Sequence, residues 1–209
     1  MIRDICAALF ILCHPFVEQF DFTYSNQEEF VLGITECTVE INAYLPPEMR
    51  VIVILSVAQA VLESDWGQSR FAREAYNFYG IIETDATEPH IKSLESDILI
   101  KKYGRRCESV ADYINLLNRG SHFAEYREVR LKQMISDAVN LDDIIHSLAP
   151  YASDPFYGYK VRDTVLYLLE EYPHVFNGNS DVSFFSEFSN DSISMQNVSI
   201  YTVLPLLIS

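Results

Sequence analysis

The sequence is poor in basic residues, cysteine and glycine, and it contains no long uninterrupted apolar run. Its 209 residues include 15 Lys and Arg against 30 Asp and Glu, which gives a formal net charge of −15. A chain this negative is repelled by phosphate backbones unless it carries a dense basic patch. Its only basic clusters are the pairs at 101–102 and 105–106, so nucleic acid is excluded as a partner.

The few cysteines give no sign of a metal site. Cys6, Cys13, Cys37 and Cys107 form no C-x-x-C pair, and no histidine lies at zinc-ligand spacing from them. The chain is therefore expected to hold no structural metal. The spacing of these cysteines does not indicate a redox compartment.

The apolar runs are too short to cross a membrane. None reaches the roughly 18–20 residues that a membrane-spanning helix needs, so no span is predicted. Segment 5–13 is apolar and follows Arg3, as at the start of a signal peptide, but it is short and lacks a small-x-small cleavage site. Export by this segment is only weakly indicated.

Aromatic and apolar residues are abundant, with 13 Tyr, 13 Phe, one Trp and a hydrophobic fraction of 49%. This composition excludes a disordered chain, and the length favours one domain with extensions. The charge is uneven, since residues 1–43 carry seven acids and one base and residues 177–209 carry three acids and no base. We therefore predict an acidic N-terminal extension over 1–43 with a weak signal segment, a folded domain over 44–176, and a polar linker with an apolar tail over 177–209.

Hydrophobic periodicity and proline positions predict a mainly α (α+β) fold. Pro46 and Pro47 mark the start of a buried helix, whose apolar run covers 49–62 and which is expected to end near 64–67. A short helix is expected over 68–75. The mixed stretch 82–103 predicts a small hairpin or an irregular lobe. Further helices are predicted from Glu108 and over 122–138, 141–149 and 158–172.

The first long helix carries one polar stripe in an otherwise apolar sequence. Ser56, Gln59 and Glu63 recur at i, i+3 and i+7, so they share one helix face. A carboxylate at the end of such a buried stripe is desolvated, which raises its pKa and keeps it protonated as a general acid requires. The alternative is that Glu63 is a solvated residue of the last turn, followed by a Trp66-Gly67 cap.

One segment carries a recognisable motif. AQAVLESDWGQSRFAREAYNFYGI, residues 58–81, resembles the signature of the bacterial peptidoglycan-cleaving β-N-acetylglucosaminidases of glycoside hydrolase family 73, which runs AQ, ES-x-WG-x-S and N-x-(F/W)-G. The resemblance extends over about residues 44–176. The supporting segments are most similar to the Bax-type branch: LPP at 45–47, RFAREA at 70–75, SVADYINLLN at 109–118, HFAEYREVR at 122–130 and YASDPFYGYKV at 151–161.

The resemblance implies a lysozyme-like helical domain with a small β-hairpin lobe that cleaves the β-1,4 bond after N-acetylglucosamine in peptidoglycan. Glu63 falls on the family's catalytic acid, and no metal or organic cofactor is implied. The family's second carboxylate is often assigned to the β-lobe, or replaced by the substrate's acetamido group. Of the lobe acids Glu83, Asp85, Glu88, Glu95 and Asp97, we favour Glu95 or Asp97; the alternative is that all five are solvated loop acids.

The remaining motif residues are expected to line a sugar cleft, because aromatic rings cover the apolar faces of pyranoses and polar groups bind the N-acetyl group. Tyr151 is the candidate for a hydroxyl near the reacting centre. The candidates for substrate binding are Gln59, Asn77, Phe78, Tyr79 and Tyr157. The alternative for the aromatic residues is ordinary core packing, which is also the favoured interpretation of Trp66.

Two other functions remain open at this stage. One is lytic transglycosylase cleavage on the same fold, and the other is a non-catalytic module for wall binding or assembly. Action in the periplasm or cell envelope is expected, or alternatively a phage-borne enzyme. The terminal extensions are expected either to pack on the domain or to contact a protein partner.

Overall fold

The computed structural model describes residues 20–94, 96–136 and 140–176. Most of these residues are helical, and two short strands pair antiparallel with Ile91 opposite Ile100. The predicted mainly helical fold with a small hairpin is confirmed. In chain order the elements are α1 (Gln27–Ala43), α2 (Val53–Ser64), α3 (Arg70–Ala75), β1 (His90–Lys92), β2 (Leu99–Lys101), α4 (Arg106–Arg119), α5 (Ala124–Ser136), α6 (Leu141–Ser147), α7 (Tyr157–Glu171) and α8 (Pro173–Phe176), with 3₁₀ turns at Pro47–Met49, Ser121–Phe123 and Ala149–Tyr151.

Helix α2 is the central element of the domain. Every residue in it is buried except Leu62 and Glu63, and its most extensive contacts are with α7 and α1. An apolar helix without a solvent face is stable only when other elements surround it. Glu63 is thus one of the two positions at which this helix reaches partly exposed surroundings.

Helix α2 begins four residues later than predicted. The prolines start only a 3₁₀ turn, Pro47–Met49, and Arg50 and Ile52 are extended. The Asn42 side chain fixes this extended segment, because its Nδ2 donates to the Val51 carbonyl oxygen at 2.8 Å and its Oδ1 accepts from the Val51 amide at 3.0 Å. These two bonds satisfy the peptide groups of Val51 outside a helix.

A tight left-handed turn ends α2 directly after the acid. Asp65, Trp66 and Gly67 have φ values of 51°, 57° and 74°, a region that non-glycine residues rarely adopt. The Ser64 hydroxyl accepts from the Gly67 amide at 2.8 Å. The chain thus leaves the helix two residues after Glu63, as the predicted end near 64–67 requires.

Helix α1 lies in the segment assigned to the N-terminal extension, yet it packs in the same core. Phe30, Val31 and Ile34 are fully buried. A disulfide joins Cys37 of α1 to Cys107 of α4 across a Cα–Cα distance of 5.5 Å. The folded unit therefore extends well before residue 44. Residues 27–43 of the predicted N-terminal extension pack on the domain.

Several sequence predictions fall on residues outside the described ranges. These are the weak signal segment, Cys6 and Cys13, Glu95, and the polar linker and apolar tail over 177–209. Among the described residues, no group of three or more His, Cys, Asp or Glu could hold a metal ion. Within the same ranges, no helix has both the length and the apolar composition to cross a bilayer.

Candidate active site

The polar stripe of α2 faces a cluster of tyrosines from four parts of the chain. Ser56 and Gln59 are fully buried, whereas Glu63 is partly exposed. The Ser56 hydroxyl is bonded to the Tyr79 hydroxyl at 2.9 Å and to the Thr38 hydroxyl at 3.0 Å. The predicted common face of these three polar residues is therefore the face that meets the tyrosines.

Gln59 connects two of these tyrosines through both ends of its amide. Its Nε2 donates to the Tyr157 hydroxyl at 2.8 Å, and its Oε1 accepts from the Tyr113 hydroxyl at 2.5 Å. Because Gln59 is fully buried, its predicted role in binding substrate has no surface through which to act. In this structure Gln59 positions the tyrosines beside Glu63.

Glu63 has the properties of a protonated acid near neutral pH. Burial raises the pKa of its carboxyl to about 7, opposed by a hydrogen bond from Tyr157 and by the charge of Lys160. The Lys160 ammonium is itself paired with Asp154 at 2.7 Å, which leaves desolvation as the dominant effect. A carboxyl with this pKa is suited to donate a proton at neutral pH.

Gly80 keeps the surroundings of the acid open. It has φ +65°, and a Cβ added there would lie 3.7 Å from Glu63 Oε2. The carboxylate is therefore bordered by backbone without a side chain at this position. This glycine is the last residue of the N-x-(F/W)-G element, and its positive φ is a conformation that favours glycine.

Tyr151 and Tyr157 lie next to each other at the acid. Their rings stack with centroids 5.9 Å apart and an interplanar angle of 8°. The half-buried Tyr151 donates its hydroxyl to the Tyr79 carbonyl oxygen at 2.8 Å, and the charge of Glu63 contributes to raising its pKa. The structure thus places both late tyrosines beside Glu63.

The motif residues at 77–79 are buried and build the loop. Asn77 Nδ2 donates to the carbonyl oxygens of Ile81 at 2.8 Å and Lys101 at 2.9 Å. Phe78 is fully buried and packs on the rings of Phe22 and Phe30, and the Tyr79 ring stacks on the Tyr113 ring at 4.1 Å. The aromatic-packing alternative therefore describes Phe78 and Tyr79.

Trp66 also packs within the fold. Its ring lies 5.8 Å from that of Tyr167 and 6.3 Å from that of Tyr172, measured between centroids. Both tyrosines lie at the C-terminal end of α7 or directly after it. The packing role favoured for Trp66 from the sequence agrees with these contacts.

The acids of the hairpin lobe differ in their surroundings. Asp97 is 96% exposed and pairs with Lys92 at 2.7 Å, which lowers its pKa. Asp85 and Glu88 are exposed. Glu83 is partly buried, and its charge contributes to raising the pKa of Tyr103. No described contact joins a lobe acid to Glu63.

A surface cavity of about 280 Å³ lies elsewhere on the domain. Its lining includes Tyr24, Gly67, Arg73 and Arg106, and Arg106 is paired with Asp21 at 3.2 Å. Glu63 is not among its lining residues, so the candidate active site is identified by its side chains and not by this cavity.

Sequence reasoning missed two contributors to the site. Neither Tyr113 nor Lys160 was among the candidate site residues. Both act on Glu63, since Tyr113 binds Gln59 and Lys160 lowers the pKa of the acid. No local sequence pattern identifies Tyr113 or Lys160, because both lie far from α2 in the sequence and come close to it only in the folded chain.

Comparison with known proteins identifies the family of the chain. A model of the glucosaminidase family, described as mannosyl-glycoprotein endo-β-N-acetylglucosaminidase, matches residues 46–168. The exo-glucosaminidase LytG of Bacillus subtilis (strain 168) is 30% identical over 193 residues, which are 82% of this chain and 64% of LytG. The peptidoglycan hydrolase FlgJ of Escherichia coli (strain K12) is 29% identical over 126 residues, which are 53% of this chain and 38% of FlgJ.

The glycoside hydrolase domain of Salmonella typhimurium FlgJ shares the fold. It superposes with a TM-score of 0.54 at 23% identity, covering 79% of this chain and 99% of that domain. The chain spans less than two thirds of the length of LytG and of FlgJ. With the family model covering more than half of its residues, the chain belongs to the glucosaminidase family.

Proposed function

We propose that this protein hydrolyses the β-1,4 bond after N-acetylglucosamine in peptidoglycan glycan strands, with Glu63 as the general acid. The observation that carries the proposal is a partly exposed carboxyl whose pKa is raised to about 7 at the end of a buried helix. Membership of the glucosaminidase family and the activities for which LytG and FlgJ are named support the substrate and the bond.

In the proposed mechanism Glu63 gives its proton to the bridging oxygen as the C1–O bond breaks. The departing sugar leaves as an alcohol, and positive charge develops on the ring of N-acetylglucosamine. Water then adds to C1, loses one proton to a base, and forms a new reducing end. Tyr151 and Tyr157, whose rings stack at the acid, are proposed to border the reacting sugar.

The group that assists at C1 is proposed to be a lobe acid or the acetamido group of the substrate. Glu95 and Asp97 remain the candidate acids. The high exposure of Asp97 and its pairing with Lys92 mean that it serves only if substrate binding draws the lobe towards Glu63. Substituting each acid by its amide separates the two candidates.

The decisive test is Glu63→Gln with purified peptidoglycan as substrate. The amide has the shape of the acid but cannot supply the proton, so turnover should fall by about 10²–10⁴-fold. Release of new reducing ends measures the rate, and circular dichroism checks the fold. Glu125→Gln, which changes an exposed acid on α5, is the matched control and should act like the wild type. Equal activity in the Glu63 variant would rule out this mechanism.

Mass spectrometry of the products distinguishes the related activities. Reducing N-acetylglucosamine ends are expected, whereas anhydro-muramyl ends would indicate a lytic transglycosylase. Binding to insoluble peptidoglycan without any soluble product would indicate a wall-binding module. A time course then separates endo cleavage, which yields a ladder of fragments, from exo cleavage, the activity named for LytG.

We also propose that the protein acts outside the cytoplasm, in the periplasm or cell envelope or as a phage-borne enzyme. The disulfide between Cys37 and Cys107 supports this location, because disulfides persist mainly in oxidising compartments. Because both cysteines are buried in the native fold, the protein is alkylated after unfolding without reductant, and mass spectrometry should then find both cysteines unmodified. Full alkylation of both would contradict an oxidising location.

A further inference from the structure

The surface cavity that Glu63 does not line carries positive charge in a strongly acidic chain. The formal net charge of the chain is −15, yet Arg73 and Arg106 both line this cavity, and none of its lining residues within the described part of the chain is acidic. Its volume of about 280 Å³ is far larger than the roughly 30 Å³ that one water molecule occupies. The cavity therefore has room for an organic anion and not only for a single ion.

Arg106 is held in place and still has donors to offer. Asp21 accepts from the Arg106 amide at 2.9 Å and from its Nη1 at 3.2 Å. The guanidinium carbon lies 4.4 Å from the centroid of the Tyr76 ring and 6.0 Å from that of the Tyr24 ring. A guanidinium has five N–H groups, and those on Nε and Nη2 have no hydrogen bond to another described residue. Arg106 is thus oriented in advance and can still bind an anion.

Arg73 has no counter-charge in the described part of the chain. It is an exposed residue of α3, and its Nη2 donates to Gln68 Oε1. No ion pair joins Arg73 to a described acid. Since Asp21 already balances the charge of Arg106, a ligand with one negative charge would neutralise the cavity.

The other lining groups fit a peptide better than an inorganic anion. The rings of Tyr24 and Tyr76 and the methyl group of Ala72 give the cavity apolar surface. Gln68 Oε1 accepts from Arg73, while the Gln68 NH₂ group has no hydrogen bond to a described residue. A peptide that ends in a carboxylate offers an anion to the guanidinium groups, a carbonyl oxygen to the NH₂ group and aliphatic parts to the rings. Inorganic phosphate would use only the first of these.

Tyr76 is held in a strained conformation at this cavity. Its φ is 52°, in a region that residues other than glycine rarely adopt. This conformation accompanies the stacking of its ring on the Arg106 guanidinium. Strain that the surrounding structure maintains in this way is typical of ligand-binding sites.

We propose that this cavity binds the carboxylate of the short acidic peptides that peptidoglycan strands carry, with Arg73 and Arg106 as the donors to the carboxylate. The Gln68 NH₂ group then donates to a carbonyl oxygen of the same peptide. The identity of the ligand rests on the proposed function, because it is the substrate polymer that carries these peptides.

The chain itself limits the distance between this cavity and the acid. Gly67 of the cavity lies four residues after Glu63, so at about 3.8 Å per residue their Cα atoms are at most about 15 Å apart. Tyr76 lies four residues before Gly80, where an added Cβ would be 3.7 Å from Glu63 Oε2. An extended peptide of five residues spans up to about 18 Å. A peptide attached to a glycan strand at Glu63 is therefore long enough to reach the cavity.

The experiment titrates the full chain with the dipeptide alanyl-glutamate and follows ¹H–¹⁵N NMR spectra, including the Nε–Hε signals of the arginines. We expect the signals of Arg73 and Arg106 to shift on binding. The dipeptide with both carboxyls amidated should bind at least about tenfold more weakly, and Arg73→Gln should weaken binding of the free acid by about tenfold, because each change removes charge-assisted hydrogen bonds.

Arg70→Gln is the matched control, because it makes the same charge change on the same helix. Arg70 pairs with Glu74 at 3.2 Å, donates to the Lys92 carbonyl oxygen at 2.7 Å and does not line the cavity. This variant should bind the dipeptide as the wild type does. An equal loss in both arginine variants would reveal a general effect of charge and overturn the proposal. Equal binding of the amidated dipeptide, or tighter binding of inorganic phosphate than of alanyl-glutamate, would also overturn it.

Activity supplies a second readout. The wild type should have a lower KM for peptidoglycan than for glycan strands from which the peptides have been removed, and Arg73→Gln should reduce this difference. The same ratio of the two KM values in the variant and the wild type would contradict a peptide site. The dipeptide titration needs no turnover, so dipeptide binding by a protein that does not cleave peptidoglycan would contradict the proposed function and still support the cavity as a carboxylate site.

Discussion

At the scale of single residues, Glu63 links the stability of the domain to pH. Folding raises its pKa from 4.5 to about 7, so the folded state holds a proton that the unfolded chain releases between these values. The stabilisation is complete below about pH 4.5 and is lost as pH rises through about 7.

Comparison with Glu63→Gln isolates this effect, because the amide does not titrate. Between about pH 4 and pH 8, the wild type should lose about 2–3 kcal/mol of unfolding free energy relative to the variant. Urea unfolding at the two pH values measures the difference. If the two proteins keep a constant difference across this range, the carboxyl is not desolvated in the fold.

The residues also show what the sequence can locate. Glu63 was found because three polar positions recur on one face of an apolar helix, which is a local pattern. The roles of Gln59 could not be found in this way, since its partners Tyr113 and Tyr157 lie 54 and 98 positions away. The sequence alone does not show whether a motif residue such as Phe78 lines a cleft or packs in the core. Its exposed fraction in the structure distinguishes the two.

At the scale of elements, the turn after α2 requires glycine at one position. Gly67 has φ +74°, and an added Cβ would lie 2.6 Å from Tyr24 Oη and 2.8 Å from Phe30 Cδ2. Gly67→Ala should therefore cost about 2–3 kcal/mol from backbone strain and overpacking.

The matched control for this turn is Gly158→Ala in α7. The nearest atom to the added Cβ there is Ile145 Cγ2 at 3.4 Å, and alanine is the better helix former by up to about 1 kcal/mol. Denaturant unfolding of the two variants gives the comparison. Equal stabilities would show that the turn accepts an ordinary side chain.

Helix α1 packs in the core of the domain, although its residues belong to the segment described from the sequence as an N-terminal extension. The acidic charge of residues 1–43 suggested a segment separate from the folded domain, but Glu28 and Glu36 lie on the exposed side of a packed helix. Local signals were present, since Asn26 caps the helix and apolar residues recur at 30, 34, 37 and 41. Net charge reports on the surface of a helix and not on whether its other face is buried.

At the scale of the whole molecule, local patterns predicted helices α2 to α7 and the hairpin, while the assembly around α2 depended on long-range contacts. Two such contacts, which the sequence did not predict, are the pairing of Ile91 with Ile100 and the disulfide between Cys37 and Cys107. Cysteine spacing alone could not identify that pair, because four cysteines allow three pairings. The same limit applies to the tyrosines that converge on Glu63.

The last prediction concerns where the folded unit begins. Deleting residues 1–43 removes α1, including its buried residues Phe30 and Ile34. The apolar surface of the remaining domain that packs on these residues becomes exposed, and Cys107 loses its disulfide partner. Because a domain of this size is stable by only about 5–15 kcal/mol, the chain that begins at residue 44 should not unfold cooperatively. Deleting only residues 1–19 should retain a cooperative transition, since α1 stays in place. Circular dichroism during urea unfolding tests both chains, and a cooperative transition in the shorter one would show that the family segment folds without α1.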